Sequence, residues 1–279
     1  MVKVVTDSVS DIPTRVAREL GIIVVPEYVC FGTDEYRDGI DLSTDDFYRR
    51  LASSPVLPTT AAIPPADFLD VFNSLSRETD EIAVITLSSK FGAAYNNALL
   101  AKDMMDNSCR IEVVDSLSGI MGQGLIVIAA AQLAQSGAGL AEVIDNVRSS
   151  IPRIHVLMTF DTLEYLKRGG RIGKGQALMG SLLKINPILC IRDGEASPLG
   201  RVRGRTKAID YLFDFVSSLP GISSIAVEHA TTPDEAEMLI DRLDSLFPRE
   251  RIYRSKVSPV VGTHVGPHVI AVSVLAGNH

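Results

Sequence analysis

Apolar and polar positions along the chain fall into short runs that switch between two periods. Residues 3–5, 22–25, 82–87 and 110–114 are compact, β-branched and apolar, as buried strands are. Around them the period lengthens to that of amphipathic helices, at 13–20, 44–52, 65–76 and 93–106. Strands alternating with helices in this way predict a parallel, helix-covered sheet. Residues 118–135 and 140–149 read as two further helices that lead out of that unit. The most apolar stretch, GLIVIAAAQLA at 124–134, is too short for a bilayer, which needs about 20 apolar residues, and predicts a buried helix.

A second strand-led unit opens at IPRIHVLMTF, with a strand at 154–160 and helices at 161–168 and 176–183. NPILCIRDGEASPLGRVRG then predicts a hairpin turning on Asp193-Gly194. A helix at 206–218, a strand at 223–229, a helix at 233–246 and strands near 251–255 and 269–275 complete the order. The whole pattern predicts two α/β lobes, residues 1–152 and 153–279, with ligand space between them.

Composition narrows the function classes. Hydrophobic residues make up 46% of the 279 and aromatics 6%, with no Trp, so the core is aliphatic. A net charge of −7 counts against nucleic acid as the main partner. Cys30, Cys109 and Cys190 are odd in number and far apart, which reads as reduced thiols of a cytosolic protein. The first residues, MVKVVTDS, enter a strand directly, and no signal peptide or integral membrane segment is read.

Candidate chemistry gathers at strand ends. KVVTDSVSD places Thr6, Asp7 and Ser8 after one strand, AVITLSSKFG places Ser88 and Ser89 after another, and IEVVDSLSG places Asp115 and Ser116 after a third. In a parallel sheet these ends share one edge, where open α/β folds bind ligands. The stretch VITLSSKFGAAYNNALLAK combines a strand, two serines and a Gly-Ala corner opening a helix, which is the design of an anion cradle. It has no phosphate-loop or dinucleotide-binding glycine spacing. LPTTAAIPP adds Thr59 and Thr60 in a proline-stiffened loop. Each corner alone has a plainer reading, helix capping by Ser, Thr or Asp.

Ser88, Ser89, Asp7, Asp115 and His264 supply the residue types of a hydrolytic triad, but no G-x-S-x-G elbow accompanies them. His264 and His268 are four apart, yet Gly266-Pro267 between them forbids a helical metal-binding pair. VVGTHVGPHVIAV instead predicts a bend carrying His264, either a surface turn or a donor beside an anionic head group. Between Asp161 and Lys207 lie ten basic and four acidic residues, including Lys167, Arg168, Arg171 and Lys174, then Arg201, Arg203, Arg205 and Lys207. That charge is either a solvated surface or a docking face for an acidic partner or a phosphate-bearing ligand.

Five motifs in series resemble the DegV family of fatty-acid-binding proteins, carrier subunits of bacterial fatty acid kinase. They are VTDSVSDIP (5–13), PTT (58–60), VVDS (113–116), DTLEYLKRGGRI (161–172) and GTHVGP (262–267). The resemblance covers nearly the whole chain. It implies two α/β lobes with a long-chain fatty acid such as palmitate between them, no cofactor, and no catalysis by the carrier alone. It implies fatty-acid-binding roles for Thr59, Thr60, Phe91, Gly92, Ala93 and His264, with Thr60 and the N–H groups around Gly92 and Ala93 at the carboxylate. Arg171 and Arg203 would belong to the head-group region or face the partner kinase, which forms the acyl phosphate.

The chain also departs from that pattern. The family corner reads S-S-x-x-S-G-T-Y; where it has Ser-Gly-Thr this chain is read as Phe91, Gly92 and Ala93, and Ala61 follows Pro-Thr-Thr in place of Ser. Phe91 is expected to cover part of the carboxylate corner. Burying ~15 methylenes at about 0.8 kcal/mol each gives roughly 12 kcal/mol, against about 1.5–3 kcal/mol for a lost hydrogen bond to a charged group. Tail binding therefore survives the loss of hydroxyls more readily than head-group placement does. Two alternatives stay open: an α/β enzyme acting on a small anionic substrate in the same cleft, and a paralogue carrying another apolar ligand.

Overall fold

The computed structural model describes residues 1–105, 109–179 and 185–277. In the first half, β1 (Lys3–Asp7), β2 (Ile23–Val25), β3 (Tyr28–Phe31), β4 (Asp34–Arg37), β5 (Thr59–Ala61), β6 (Glu81–Thr86) and β7 (Arg110–Asp115) form two sheets. A four-stranded sheet runs β2-β1-β6-β7 and is parallel throughout. Ile82 to Ile85 in its centre are wholly buried, as strands covered on both faces must be. The second sheet, antiparallel in the order β4-β3-β5, has no counterpart in the sequence reading. Its strands are three or four residues long, and Asp-Glu-Tyr-Arg in β4 carries no apolar alternation.

The second half supplies β8 (Ile154–Thr159), β9 (Ile185–Arg192), β10 (Glu195–Arg203), β11 (Ile222–His229), β12 (Tyr253–Lys256) and β13 (Ile270–Ala276). They form one sheet ordered β10-β9-β8-β13-β11-β12, antiparallel except between β11 and β12. The β9–β10 hairpin turns on Asp193 and Gly194, both at positive φ, as the Asp-Gly signal requires.

The helix Ile120–Gln135 corrects one expectation. It does not lead out of the first unit but lies between the parallel sheet and the six-stranded sheet. Met121 to Ala134 pack with Val4, Ile85 and Val114 on one side and with Ala226 and Leu275 on the other. Two glycines permit this approach: a Cβ on Gly124 would stand 2.5 Å from the Ser10 carbonyl, and one on Gly122 would stand 2.3 Å from Val156. Apolar nearly all round, the helix is buried from Ile120 to Ile128 and reaches solvent near its C-terminal end, at Gln132 and Gln135.

Three other helices are shorter than expected. Residues 161–168 become Glu164–Arg168, because the Asp161 carboxylate accepts from Asn186 Nδ2 and pairs with His268, while Thr162 Oγ1 accepts from the Glu164 N–H and starts the helix there. Residues 233–246 end as a helix at Leu243, where the Asp244 side chain turns to accept from the Arg249 N–H. In place of 176–183, a 3-10 turn spans Gly173–Leu178, and residues 180–183 lie outside the described residues. Residues 93–106 form the helix Ala94–Asp103, with 106 also outside. In the other direction, VVGTHVGPHV is not simply a bend. Pro259–Val265 is helical, with Pro at its first turn, until Gly266 at φ +79° ends it.

Candidate functional site

A cavity of about 200 Å3 lies where these elements converge. Val9, Leu87 and Ile120 wall it from the parallel-sheet side, Met158 and Ile191 from the six-stranded sheet, and Val261 from the short helix. This wall is aliphatic, as the composition predicted. Its polar groups are few: Glu27, Thr60, Arg171 and His264, beside the corner of Phe91, Gly92 and Ala93.

Those groups are positioned by local chemistry. Thr60 sits in the middle of β5, paired with Val29, and its Oγ1 lies 2.9 Å from His264 Nε2. His264 stands in the last turn of the helix Pro259–Val265 and packs against Gly169 so closely that a Cβ there would fall 2.1 Å from Nδ1. Burial, and then the nearby Arg171 charge, push the His264 imidazole down to about 4, so it is neutral at pH 7. Arg171 is held at the cavity wall by two carbonyls, Nε donating to Phe91 O at 3.0 Å and Nη1 to Gly169 O at 2.6 Å. A cation, a hydroxyl and a neutral imidazole thus face an apolar chamber, an arrangement that receives an anion carried on an apolar chain.

The strand-end corners meet at one edge but spend their side chains on one another. Asp7 Oδ2 accepts from the Leu87 N–H at 2.6 Å, and Oδ1 accepts from the Val9 N–H and from Gln123 Nε2, both at 3.1 Å. Asp115 accepts from the N–H groups of Leu117 and Ser89. Ser88 Oγ donates to the Gly194 carbonyl at 2.7 Å, tying the tip of the β9–β10 hairpin to the β6 corner. These residues are architecture, but the capping reading holds only at Asp7, which caps the 3-10 turn Ser8–Ser10; the helices Ala94–Asp103 and Ile120–Gln135 begin without a side-chain cap, and Ser88 and Asp115 hold loops and the hairpin instead. The catalytic inventory is not assembled either: Ser88, Asp7 and His264 each have other partners. Among the described residues no group of three His, Cys, Asp or Glu is placed to hold a metal.

Of the remaining sequence candidates, Thr59 is exposed and lines a second pocket of about 270 Å3 with Pro58, Tyr165 and Arg168, which shares Thr60, Arg171 and His264 with the cavity. Arg203 is exposed at the end of β10 and does not line the cavity. Two members of the basic cluster are paired, Lys174 with Glu195 and Arg205 with Glu235. At the Gly-Ala corner the Gly92 N–H is already turned to the Ser88 carbonyl at 3.3 Å, whereas the helix Ala94–Asp103 begins without a side-chain cap, leaving its first N–H groups open. The register of this corner also needs correction. Counted from Ser88 and anchored on Tyr95, S-S-x-x-S-G-T-Y sets Gly92, Ala93 and Ala94 against Ser-Gly-Thr, and Phe91 falls on a variable position. Phe91 lines the cavity and packs on the central apolar cluster.

Sequence reasoning missed Glu27. It follows Pro26 between β2 and β3, is 5% exposed and lines the cavity. Its signal was present: in IIVVPEYVCF, residues 22–31, it is the one charged residue.

Fold and site together define a two-lobed α/β protein with an aliphatic chamber and a small polar end. The comparisons agree with that class. A family model described as an uncharacterised protein of the DegV family matches residues 1–277, and the chain belongs to the DegV family. A DegV domain-containing protein of Caldanaerobacter subterraneus subsp. tengcongensis is 36% identical over 275 residues, 97% of each chain. Among solved structures, a fatty-acid-binding DegV family protein from Thermus thermophilus superposes with a TM-score of 0.91 at 30% identity, covering 99% of each chain. DegV of Bacillus subtilis, described as a fatty acid binding protein, gives 0.88 at 30% identity and 99% coverage of each.

Proposed function

We propose that this protein binds a long-chain fatty acid in the chamber, tail among the aliphatic walls and carboxylate at Thr60, Arg171 and His264, and that lobes 1–152 and 153–279 act as one binding unit. One observation carries the reading: the polar groups of an otherwise apolar cavity collect around a cation, Arg171, and the Thr60–His264 hydrogen bond. Solved DegV structures described as fatty acid binding support the ligand class. Organic extraction of the purified protein followed by mass spectrometry tests it; only small polar compounds, together with no uptake of stearate on titration, would refute it.

In the same reading the protein presents the carboxylate to a partner kinase in the cytoplasm for acyl-phosphate formation. The motif series and the exposed Lys167, Arg168 and Arg203 support that role. Charge reversal, Arg203→Glu, is expected to slow phosphorylation by the cognate kinase at least tenfold, or about 1.4 kcal/mol, and to leave stearate affinity within twofold. Loss of both together would move Arg203 into the binding site.

A further inference from the structure

Glu27 is the one acid among the described residues that lines the cavity, and it is built in rather than incidental. Its N–H donates to Ser8 Oγ at 3.1 Å and its carbonyl accepts from the Asp38 N–H at 2.8 Å, so the backbone is fixed on both sides. Oε1 is buried with no hydrogen-bond partner among the described residues. It is aimed at the carboxylate corner: a Cβ on Gly92 would lie 3.9 Å from it. Gly92 brings no side chain to meet it.

We infer that Glu27 is a ligand-binding residue whose protonated carboxyl group donates a hydrogen bond to the bound carboxylate, the two acids holding one proton between them. This deepens the fatty-acid reading and rests on it. An ionised Glu27 would repel an anionic head group, whereas a neutral acid meeting a carboxylate forms a short, charge-assisted O–H···O bond. The surroundings keep the proton on. Burial raises the Glu27 carboxyl well above the usual range; Asp7 on β1 and Asp38 beyond β4 reinforce this, and only Arg171 opposes it. His264, the other titratable group of the cavity, is neutral at pH 7 and adds no cation. An arriving carboxylate raises the Glu27 value further, so once the free protein has lost this proton, binding must take one up from water.

The test uses full-length protein freed of lipid, with stearate as probe. Calorimetric titration in two buffers of different ionisation heat is expected to report no proton uptake below the Glu27 value of the free protein and uptake approaching one proton above it. There the affinity falls by up to about tenfold per pH unit. Uptake by His264, which sits at about 4 in the free protein, has the same sign but begins on the acidic side and is separable by its pH range. Glu27→Gln, whose amide still donates, is expected to keep the affinity of the protonated form within about threefold and to abolish the fall with rising pH, whereas Glu27→Leu loses about ten- to a hundredfold. Wild-type binding that stays flat through alkaline pH without proton uptake, with Glu27→Leu binding as wild type does, would make Glu27 a spectator and leave the fatty-acid reading intact. Tight binding of stearyl alcohol in preference to stearate, weakened by Glu27→Gln, would make Glu27 an acceptor for a neutral head group and overturn the proposal. A wild-type protein that takes up no stearate at any pH would overturn both readings together.

Discussion

Asp7 and Glu27 are both acids buried within the same lobe, and their surroundings could hardly differ more. Three donors converge on the Asp7 carboxylate, from two backbone N–H groups and the Gln123 amide. No donor among the described residues reaches Glu27 Oε1. Burial alone would raise both; at Asp7 the hydrogen bonds pull the value back to about 6, while Glu27 stays well above the usual range. A buried polar group that is fully answered from within belongs to the frame, and one left unanswered beside a cavity belongs to the ligand. The strand-end corners belong with Asp7, whereas Glu27 stands at the cavity with Thr60, Arg171 and His264.

If that division is right, damage to the frame reads out as stability and damage to the polar end as affinity. The largest effect is expected from Asp7→Ala, which orphans three donors and should lower unfolding free energy by about 3–5 kcal/mol in urea denaturation. The folded fraction should bind stearate as before. A large affinity loss without destabilisation would erase the contrast.

The next effect is pH dependence of the ligand-free fold. Asp7, Asp38 and Glu228 are raised to about 6, 7 and 8, burial being the leading cause in each. Asp11 Oδ2 and Glu228 Oε1 are both buried without a donor, and Asp11 is likewise pushed up, first by burial and then by the Glu228 charge. The folded state keeps these protons where the unfolded chain has released them. Their stabilising contribution is therefore complete below the unfolded values near 4, and is lost as pH rises through about 6, 7 and 8. Stability measured at about pH 5 should exceed that at about pH 9 by on the order of a few kcal/mol. Glu228→Gln should flatten the upper part of the fall. A curve that rises with pH over this range would refute the assignment.

Smaller effects sharpen the affinity side. Gly169→Ala places a Cβ on the His264 ring without backbone strain, since Gly169 has φ −73°. It should displace the imidazole and weaken stearate binding about tenfold, or ~1.4 kcal/mol, while changing stability by less than about 0.5 kcal/mol. Thr60→Val keeps the strand and removes the hydroxyl, and should cost about 1 kcal/mol of binding free energy by titration. Equal destabilisation in either variant would mean that the polar end is also part of the frame.

Much of the fold could be read from periodicity because burial here is layered. The strand 82–87, the Asp-Gly hairpin and the all-apolar helix each have one dominant local signal that tertiary contacts reinforce. The β3–β5 sheet had none, being short and polar, and its strands exist because they pair across distant residues, as Val29 does with Thr60. The helix Pro259–Val265 was masked by Gly262, which is there to admit Phe47 and Tyr48; a Cβ would stand 2.6 Å from Tyr48 Oη. At the site, Thr60, Arg171 and His264 were found through the motifs that carry them. Glu27 lies in no motif, and only its isolation as a charge in an apolar run marked it.

The helix Ile120–Gln135 has a consequence for how such a molecule can change over generations. Its two faces are claimed by different sheets, so each half of the chain lacks a wall without the other. Exchange, duplication or loss of a single lobe would expose a stripe of Ile, Leu, Val and Ala, and lineages that keep this architecture must inherit it whole.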